Sequence, residues 1–423
     1  MRTQVKSMHA SVKPRHAYGY RFAGFDTWLL MAALALAALG LVMITSASVE
    51  YADQRFQQPL FYFYRHCVYL VISGVAAVAA FRVPVSWWSI YAVHVLFGGF
   101  FLLVIIWIPG LGHTANNATR WLALGPFTLQ VSELAKIGVV VYLASYLVRQ
   151  SELVKSHWLG FMNPMIVMGL LIFLLLLQPD FGAVVVFLVA ALSLLFLGGV
   201  RIGQFSALIV LCGSILAIMV LSEEYRMARM VAFLDPWTYQ QGGGYQLVQS
   251  LIAFGRGEFF GLGIGNSIQK LFFLPEAHTD FIFAVLAEEL GLFGCIATLC
   301  LYAFLIIRIL RVAFRAERIG QLFGAYVTYG VALIFSIQLF INVGVNIGLL
   351  PTKGLTLPFL SYGGSSLLAS GIFIAMVLRI DQEVIYAASD EDERRGTITS
   401  TNRLVDSAMN RVHGSHEHGE RHA

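Results

Sequence analysis

Apolar residues recur along this chain in runs of about 20, the length a helix needs to cross a bilayer. Ten such runs lie near 26–46, 60–81, 86–108, 128–148, 161–178, 182–199, 203–222, 281–307, 321–349 and 364–380. They predict ten helices, because backbone groups in hydrocarbon must bond within their own segment. The fifth and sixth runs are short and meet at Gln178-Pro179-Asp180-Phe181-Gly182, where proline and glycine permit a tight helical hairpin. The first run is longer than the apolar core of a cleaved signal peptide, so it is expected to remain despite the cleavage-like Ser46-Ala47-Ser48.

Composition agrees. Of 423 residues 58% are apolar and 12% charged, with a mean hydropathy of +0.74, whereas a soluble protein is about 25% charged. A soluble enzyme, a disordered chain and a collagen-like fibre are excluded, and the expected fold is an all-α integral membrane protein of ten transmembrane helices. Cys67, Cys212, Cys295 and Cys300 all lie in apolar runs, so no disulfide framework is expected.

The net charge of +4 matters less than its sidedness. The amino-terminal segment and the connections on its side carry Arg2, Lys6, Lys13, Arg15, Arg21, Arg82, Arg149, Lys155, Arg201, Arg308, Arg311, Arg315 and Arg318, 13 cations in all. The other side carries seven: Arg55, Arg120, Arg226, Arg229, Arg256, Lys270 and Lys353. The positive-inside rule puts both termini in the cytoplasm. The plan is a cytoplasmic segment 1–25, a membrane domain 26–380 and a polar cytoplasmic tail 381–423, expected to be disordered or to recruit a partner. Two long outward segments result, 223–279 and 350–363, and loops of that length usually carry function. In the first, Leu247, Val248, Leu251 and Ile252 share one helical face that could lie flat on the membrane.

The segment richest in candidate chemistry is Leu274-Pro275-Glu276-Ala277-His278-Thr279-Asp280, which enters the eighth run from outside. Asp280 suits a helix N-cap. A compatible second reading is a carboxylate facing a cleft at the membrane boundary, where burial would raise its pKa and fit it to act as a base. Glu288 and Glu289 lie roughly 12–13 Å deeper in the same helix, and carboxylates at that depth are expected to pair with Arg or Lys elsewhere. Glu133 and Lys136, three apart, can pair with each other, and Arg65 is a further intramembrane cation in need of a partner. Outside, Arg120, Arg256, Lys270 and Lys353 recur beside glycine-rich or aromatic turns. Each reads as an interface residue or as a clamp for an anionic head group such as a diphosphate. The run Ser361-Tyr362-Gly363-Gly364-Ser365-Ser366 opens the tenth helix with backbone N–H groups suited to an anion. Gly261-Leu262-Gly263-Ile264-Gly265 is not a dinucleotide fingerprint, since no strand precedes it. The histidines 413, 416, 418 and 422 read as a solvated tail, and there is no P-loop.

Four segments carry a resemblance. Pro275–Gly291 (PEAHTDFIFAVLAEELG), Asn116–Lys136 (NNATRWLALGPFTLQVSELAK), Gln178–Gly182 (QPDFG) and Leu350–Ser366 (LPTKGLTLPFLSYGGSS) are similar, in this order, to motifs of the SEDS family of shape, elongation, division and sporulation proteins. The resemblance spans about residues 26–385. Ala277, the TKGLT wording and the stretch PWTYQQGGGYQLVQSLIAFGRGEFFGLGIGNSIQKL resemble the division branch rather than the elongation branch. Val131 stands where the family commonly has proline, and Asn117 where it has glycine.

The resemblance implies a peptidoglycan glycosyltransferase of the bacterial cytoplasmic (inner) membrane, working at the division septum. Its substrates would be lipid II and the growing glycan strand. Its partners would be a class B penicillin-binding protein and division activators within surrounding membrane lipid, and nucleic acid is not expected. The family's catalytic aspartate matches Asp280, which would take the proton from the acceptor sugar's 4-hydroxyl. Candidate substrate-binding residues are Arg120 and Lys353, then Lys270 and Arg256, with His278, Glu276 and Ser361 beside them. Glu133, Lys136, Glu288 and Glu289 are expected to be structural charges. A divalent cation, Mg2+ or Mn2+, is a candidate to share the diphosphate's charge, although no metal motif calls for one. A lipid II transporter and a non-catalytic division scaffold are the competing classes.

Overall fold

The computed structural model describes residues 24–115, 118–125, 127–221 and 224–389. Expectations for the amino-terminal segment before residue 24 and for the tail beyond 389 lie outside the described residues.

In chain order the helices are α1 (Thr27–Phe56), α2 (Phe61–Arg82), α3 (Val85–Ile90) and α4 (Ala92–Ile105). Strands β1 (Gly112–Ala115), β2 (Ala118–Leu124) and β3 (Phe127–Gln130) follow. Then come α5 (Val131–Arg149), α6 (Ser151–Ser156), α7 (Trp158–Leu177), α8 (Phe181–Leu197), α9 (Ile202–Leu221), α10 (Glu224–Leu234), α11 (Tyr245–Gly257), α12 (Ile282–Arg318) and α13 (Leu322–Asn346). The last helix, α14, is Gly364–Ser389. Seven of these, α1, α2, α5, α7, α12, α13 and α14, are long and apolar enough to cross a membrane. Three shorter apolar helices fall in α4, α8 and α9, within the remaining three predicted runs. The protein is a helical, multi-pass integral membrane protein.

Helix α5 is the hub. Sixteen of its residues are buried, and it packs against α4, α8 and α13. Around it α12 packs on α13 and α1 on α12. The outward surface of α2, α4, α7 and α9 keeps large apolar side chains exposed, such as Val71, Phe101, Ile166 and Val210, as expected where the solvent is lipid.

The structure departs from the expected plan in four places. The run 86–108 is not one helix. It breaks at Tyr91, and the Ser145 hydroxyl of α5 donates to the Ser89 carbonyl at 3.2 Å beside the break. The segment between α4 and α5 is a three-stranded antiparallel sheet, β1-β2-β3, with Trp121 opposite both His113 and Gln130. The amphipathic helix α11 does not lie free on the membrane. It buries Leu247, Val248, Ser250, Ala253 and Gly257, and packs on α12. Gly257 sets that contact, because a Cβ there would meet the Ala287 carbonyl oxygen at 1.9 Å. Finally, α14 runs past 380 to Ser389, so residues 381–389 are helix rather than tail. Asp381 there is fully buried against Arg315 at 2.8 Å.

Asp381 belongs to a polar layer at one end of the bundle. Asp26 caps α1 through Leu29 N–H at 3.1 Å, and its own N–H donates to Asp381 at 2.8 Å. Arg308 of α12 pairs with Asp26 at 2.5 Å. At the other end α12 is broken at Gly291 (φ 65°, ψ −165°), a left-handed conformation that favours glycine.

Candidate active site

The loop 274–281 carries Asp280 over the start of α12. The N-cap of that helix is Phe281, so Asp280 does not cap it with its side chain. Its backbone is fixed from α13 instead. Asn342 and Asn346, four apart and both buried, donate from Nδ2 to the Asp280 carbonyl at 2.9 and 3.1 Å. Asn342 Nδ2 also donates to the Leu355 carbonyl at 2.7 Å, and Asn346 Oδ1 accepts the Ala284 N–H at 3.1 Å. One pair of amides therefore holds the Asp280 turn, the first turn of α12 and the 350–363 loop in register. The Asp280 carboxylate faces Gly354 so closely that a Cβ at 354 would lie 2.5 Å from Oδ2.

Burial pushes the Asp280 carboxyl up to about 7, with Glu276 adding to the rise, Arg120 opposing it and Asp180 adding a smaller amount. A carboxyl titrating near neutrality is poised to accept a proton and give it up again.

The surrounding segments bring Glu276, Arg120 and Asp180 to this carboxylate. Arg120 on β2 donates from Nε to the Gln178 carbonyl at 3.2 Å and from Nη2 to the Pro179 carbonyl. The next residue, Asp180, is buried. It caps α8 through Ala183 N–H and accepts from the Ser132 hydroxyl at 3.0 Å and Gln130 Nε2 at 3.4 Å. Lys353 places Nζ 4.2 Å over the ring of Phe181, so the 350–363 loop, the Gln178–Gly182 turn and the sheet converge beside Asp280. Glu276 adopts a left-handed φ of 58° and is held by the Thr279 hydroxyl at 2.6 Å. The His278 ring packs among Tyr51, Tyr62 and Tyr362, with centroids 5.5, 4.9 and 5.7 Å away. Burial there lowers its pKa and favours the neutral ring, with Glu276 opposing the shift. Its carbonyl accepts Tyr362 N–H at 3.0 Å. Arg65 of α2 reaches Tyr69 at 3.2 Å and lies over the rings of Phe61, Tyr69 and Phe127.

Three expected clamp residues are placed elsewhere. Lys270 is buried, and its Nζ bonds Glu289 at 2.8 Å and the Ser46 hydroxyl at 2.9 Å, so it has no free face for a head group. Arg256 is half exposed but spends its Nε on Glu288 at 3.0 Å. Ser361 is buried, and its hydroxyl accepts Leu357 N–H at 2.8 Å inside its own turn. The start of α14 is covered rather than open: Ser365 Oγ accepts Gln130 N–H at 2.7 Å, and Gly364 abuts the Tyr69 ring. Glu288 and Glu289 are fully buried and point to different partners, Arg256 and Lys270. Glu133 and Lys136 pair at 2.7 Å inside α5. Asn342, Asn346, Gly354, Asp180 and Gln130 were not singled out from their residue types. Motif membership was the signal for Asp180, Gln130 and Gly354, and there was none for the two asparagines. Among the described residues no three His, Cys, Asp or Glu side chains are grouped to hold a metal ion.

A bundle of membrane helices with a half-buried carboxylate at one end, beside Arg120 and a loop carrying Lys353, has the form of a membrane-embedded enzyme. Residues 26–386 match the cell cycle protein family that groups FtsW, RodA and SpoVE, and the chain belongs to that family. It is 49% identical over 368 residues to the probable peptidoglycan glycosyltransferase FtsW of Hahella chejuensis, covering 87% of this chain and 93% of that one. It is 50% identical over 359 residues to the protein of the same name from Coxiella burnetii, covering 85% and 96%. Two solved structures share the fold at 26% identity and 86% of this chain. One, described as the structural coordination of polymerization and crosslinking by a peptidoglycan synthase complex, superposes with a TM-score of 0.71 over 99% of its chain. The other, the rod shape determining protein RodA of Thermus thermophilus, superposes at 0.63 over 98%.

Proposed function

We propose that the chain is the peptidoglycan glycosyltransferase of septal wall synthesis, polymerising lipid II with Asp280 as general base. The observation that carries this reading is the Asp280 carboxyl, held near neutral pKa beside Arg120, in a family whose relatives bear the FtsW glycosyltransferase name.

The acceptor sugar's 4-hydroxyl gives its proton to Asp280 as its oxygen attacks the anomeric carbon of the lipid-linked donor. The bond from that carbon to the diphosphate oxygen breaks, and undecaprenyl diphosphate leaves. A neutral hydroxyl is a poor nucleophile, which is why a base in reach is needed. Charge growing on the diphosphate is met by Arg120, fixed on the Gln178–Pro179 carbonyls, and by Lys353. Lys270 is assigned no such role, since it is buried on Glu289, and Arg256, exposed with its Nε on Glu288, is placed second to Arg120 and Lys353. His278, neutral within its aromatic nest, and Glu276 shape the same rim. A divalent cation, if one is used, would share the charge that grows on the leaving diphosphate.

In this reading all ten apolar helices cross the membrane, the Asp280 end faces outward and both termini face the cytoplasm. A class B penicillin-binding protein crosslinks the new strand, division activators set the timing, and the complex works at the septum. The test is polymerisation of purified lipid II by the chain with its transpeptidase partner, crosslinking blocked. Glycan chains support the reading. Lipid II crossing a vesicle bilayer without polymer would replace it with a transporter.

A further inference from the structure

Two polar layers mark where hydrocarbon begins and ends. On α1, Asp26 and Ser46 are 20 residues apart, and on α12, Arg308 and Glu289 are 19 apart. At 1.5 Å per residue the separation on α1 comes to about 30 Å, the thickness of a bilayer's apolar core, and the α12 pair, tied to the same two residues of α1, spans the same height. Asp26 pairs with Arg308 in one layer, and Ser46 bonds Glu289 at 2.6 Å in the other, so the two helices report the same slab.

Segment 258–263 lies at and just inside the second layer because it is spliced into the broken α12. The break at Gly291 frees backbone groups on both of its sides. Leu262 and Gly263 N–H donate to the Glu288 and Glu289 carbonyls, both at 3.0 Å, and the Glu258 and Phe259 carbonyls accept Leu292 and Phe293 N–H at 2.9 and 3.2 Å. Gly261 makes the approach possible: its φ is 77°, and a Cβ there would lie 2.2 Å from the Glu289 carbonyl oxygen. Irregular backbone survives at membrane depth when protein satisfies its polar groups; these four bonds tie both ends of the segment to α12, and Gly261 N–H adds a bond to the Gly257 carbonyl at 2.8 Å. The side chains tell the same story. Phe259 and Ile264 are exposed, Phe260 is 81% exposed, and the Phe260 ring packs 5.1 Å from Phe293, whose neighbour Leu292 and next-turn Ile296 are also exposed on α12. The patch is therefore continuous with the lipid-facing surface of a spanning helix.

We propose that segment 258–264 is a re-entrant wedge, its tip Phe259-Phe260-Gly261 buried among the acyl chains of the leaflet on the Asp280 side. The tip is level with Leu292–Phe293, just inside the boundary that Glu289 marks. The wedge fixes the height of the α11–α12 unit, and with it Asp280, against the lipid head groups. The inference stands on the geometry alone and does not depend on the reaction assigned to Asp280.

The test is spin-label depth measurement on the full chain in lipid nanodiscs, after replacing the four free cysteines by alanine. Labels go at Phe260→Cys and, separately, Ile264→Cys. Phe101→Cys on the exposed face of α4 serves as lipid reference, and His113→Cys on the exposed sheet as water reference. Proteins are compared only at wild-type elution on size exclusion, and two labelled sites guard against one variant failing to fold. The wedge predicts oxygen-over-nickel-complex accessibility at 260 shifted to the Phe101→Cys value, with 264 between the references. Nickel accessibility at 260 equal to that of His113→Cys would overturn it. Shielding from both reagents, alone or on adding the transpeptidase, would also overturn it, in favour of a protein-covered surface.

Discussion

The raised pKa of Asp280 makes a quantitative demand on the pH dependence of polymerisation. A base must be ionised to work, so a carboxyl titrating near 7 is active above that pH and is lost as protons are added below it. About nine-tenths of such a group is ionised at pH 8, about one-tenth at pH 6 and about one-hundredth at pH 5, so the rate falls roughly tenfold and then roughly hundredfold. A carboxylate at its ordinary value of 3.8 would lose about a tenth of its activity or less over the same range. The neighbours give the sign of two controls. Glu276 raises the Asp280 pKa, so Glu276→Gln moves the acid limb to lower pH. Arg120 lowers it, so Arg120→Gln moves the limb to higher pH as well as weakening diphosphate binding. The assay is initial-rate polymerisation of lipid II at sub-saturating concentration from pH 5 to 8.5, with a return to pH 7.5 to exclude inactivation. A flat profile down to pH 5, or limbs that move the same way in both variants, would refute the reasoning.

Other consequences follow from single contacts. Gly354→Ala places a methyl 2.5 Å from the Asp280 carboxylate and displaces it, so kcat drops by about 10²-fold while expression and elution stay normal. Asn342→Ala removes the donor to two buried carbonyls and costs about 1–3 kcal/mol in thermal or denaturant unfolding. It also lowers kcat, and a variant with altered stability but intact kcat would show that Asp280 needs no such tether. Lys270→Met leaves Glu289 buried without its cation and destabilises by about 3–5 kcal/mol, with the added Glu289→Gln restoring much of the loss; no recovery in the double variant would dissolve the pair as the cause.

Much of the fold was readable because lipid imposes a simple rule: each predicted apolar run contains one apolar helix. The small sheet between α4 and α5 was not readable, since its strands are only four to seven residues long and sit between two strong helical signals. The break in α12 was hidden for a different reason. Gly291 looks like any glycine in an apolar run, and its conformation is explained only by a segment some thirty residues earlier in the chain that completes its hydrogen bonds. The apolar face of α11 was readable, since Leu247 and Val248 are buried, but its packing on α12 was not, because the close approach there is set by Gly257 against the Ala287 carbonyl, a contact distant in sequence. At the site, Asp280, Arg120 and Lys353 stood out as charges in long loops. Nothing local distinguished Lys270 and Ser361 from them, since whether a loop side chain faces water or a buried partner depends on contacts distant in sequence. Asn342 and Asn346 were invisible for the same reason. An asparagine pair four apart on a helix becomes meaningful only once it meets the Asp280 carbonyl.

The most direct test of Asp280 as the base compares wild type with Asp280→Asn, each purified in complex with the transpeptidase partner at equal folding and equal complex yield, with crosslinking blocked and lipid II supplied. The substitution keeps the size and polarity of the side chain but removes its ability to take a proton. Loss of glycan chains by about 10²–10⁴-fold, with lipid II binding retained, is the predicted result. Chains of normal length at normal rate from Asp280→Asn would contradict the assignment and move the base to another residue of the rim.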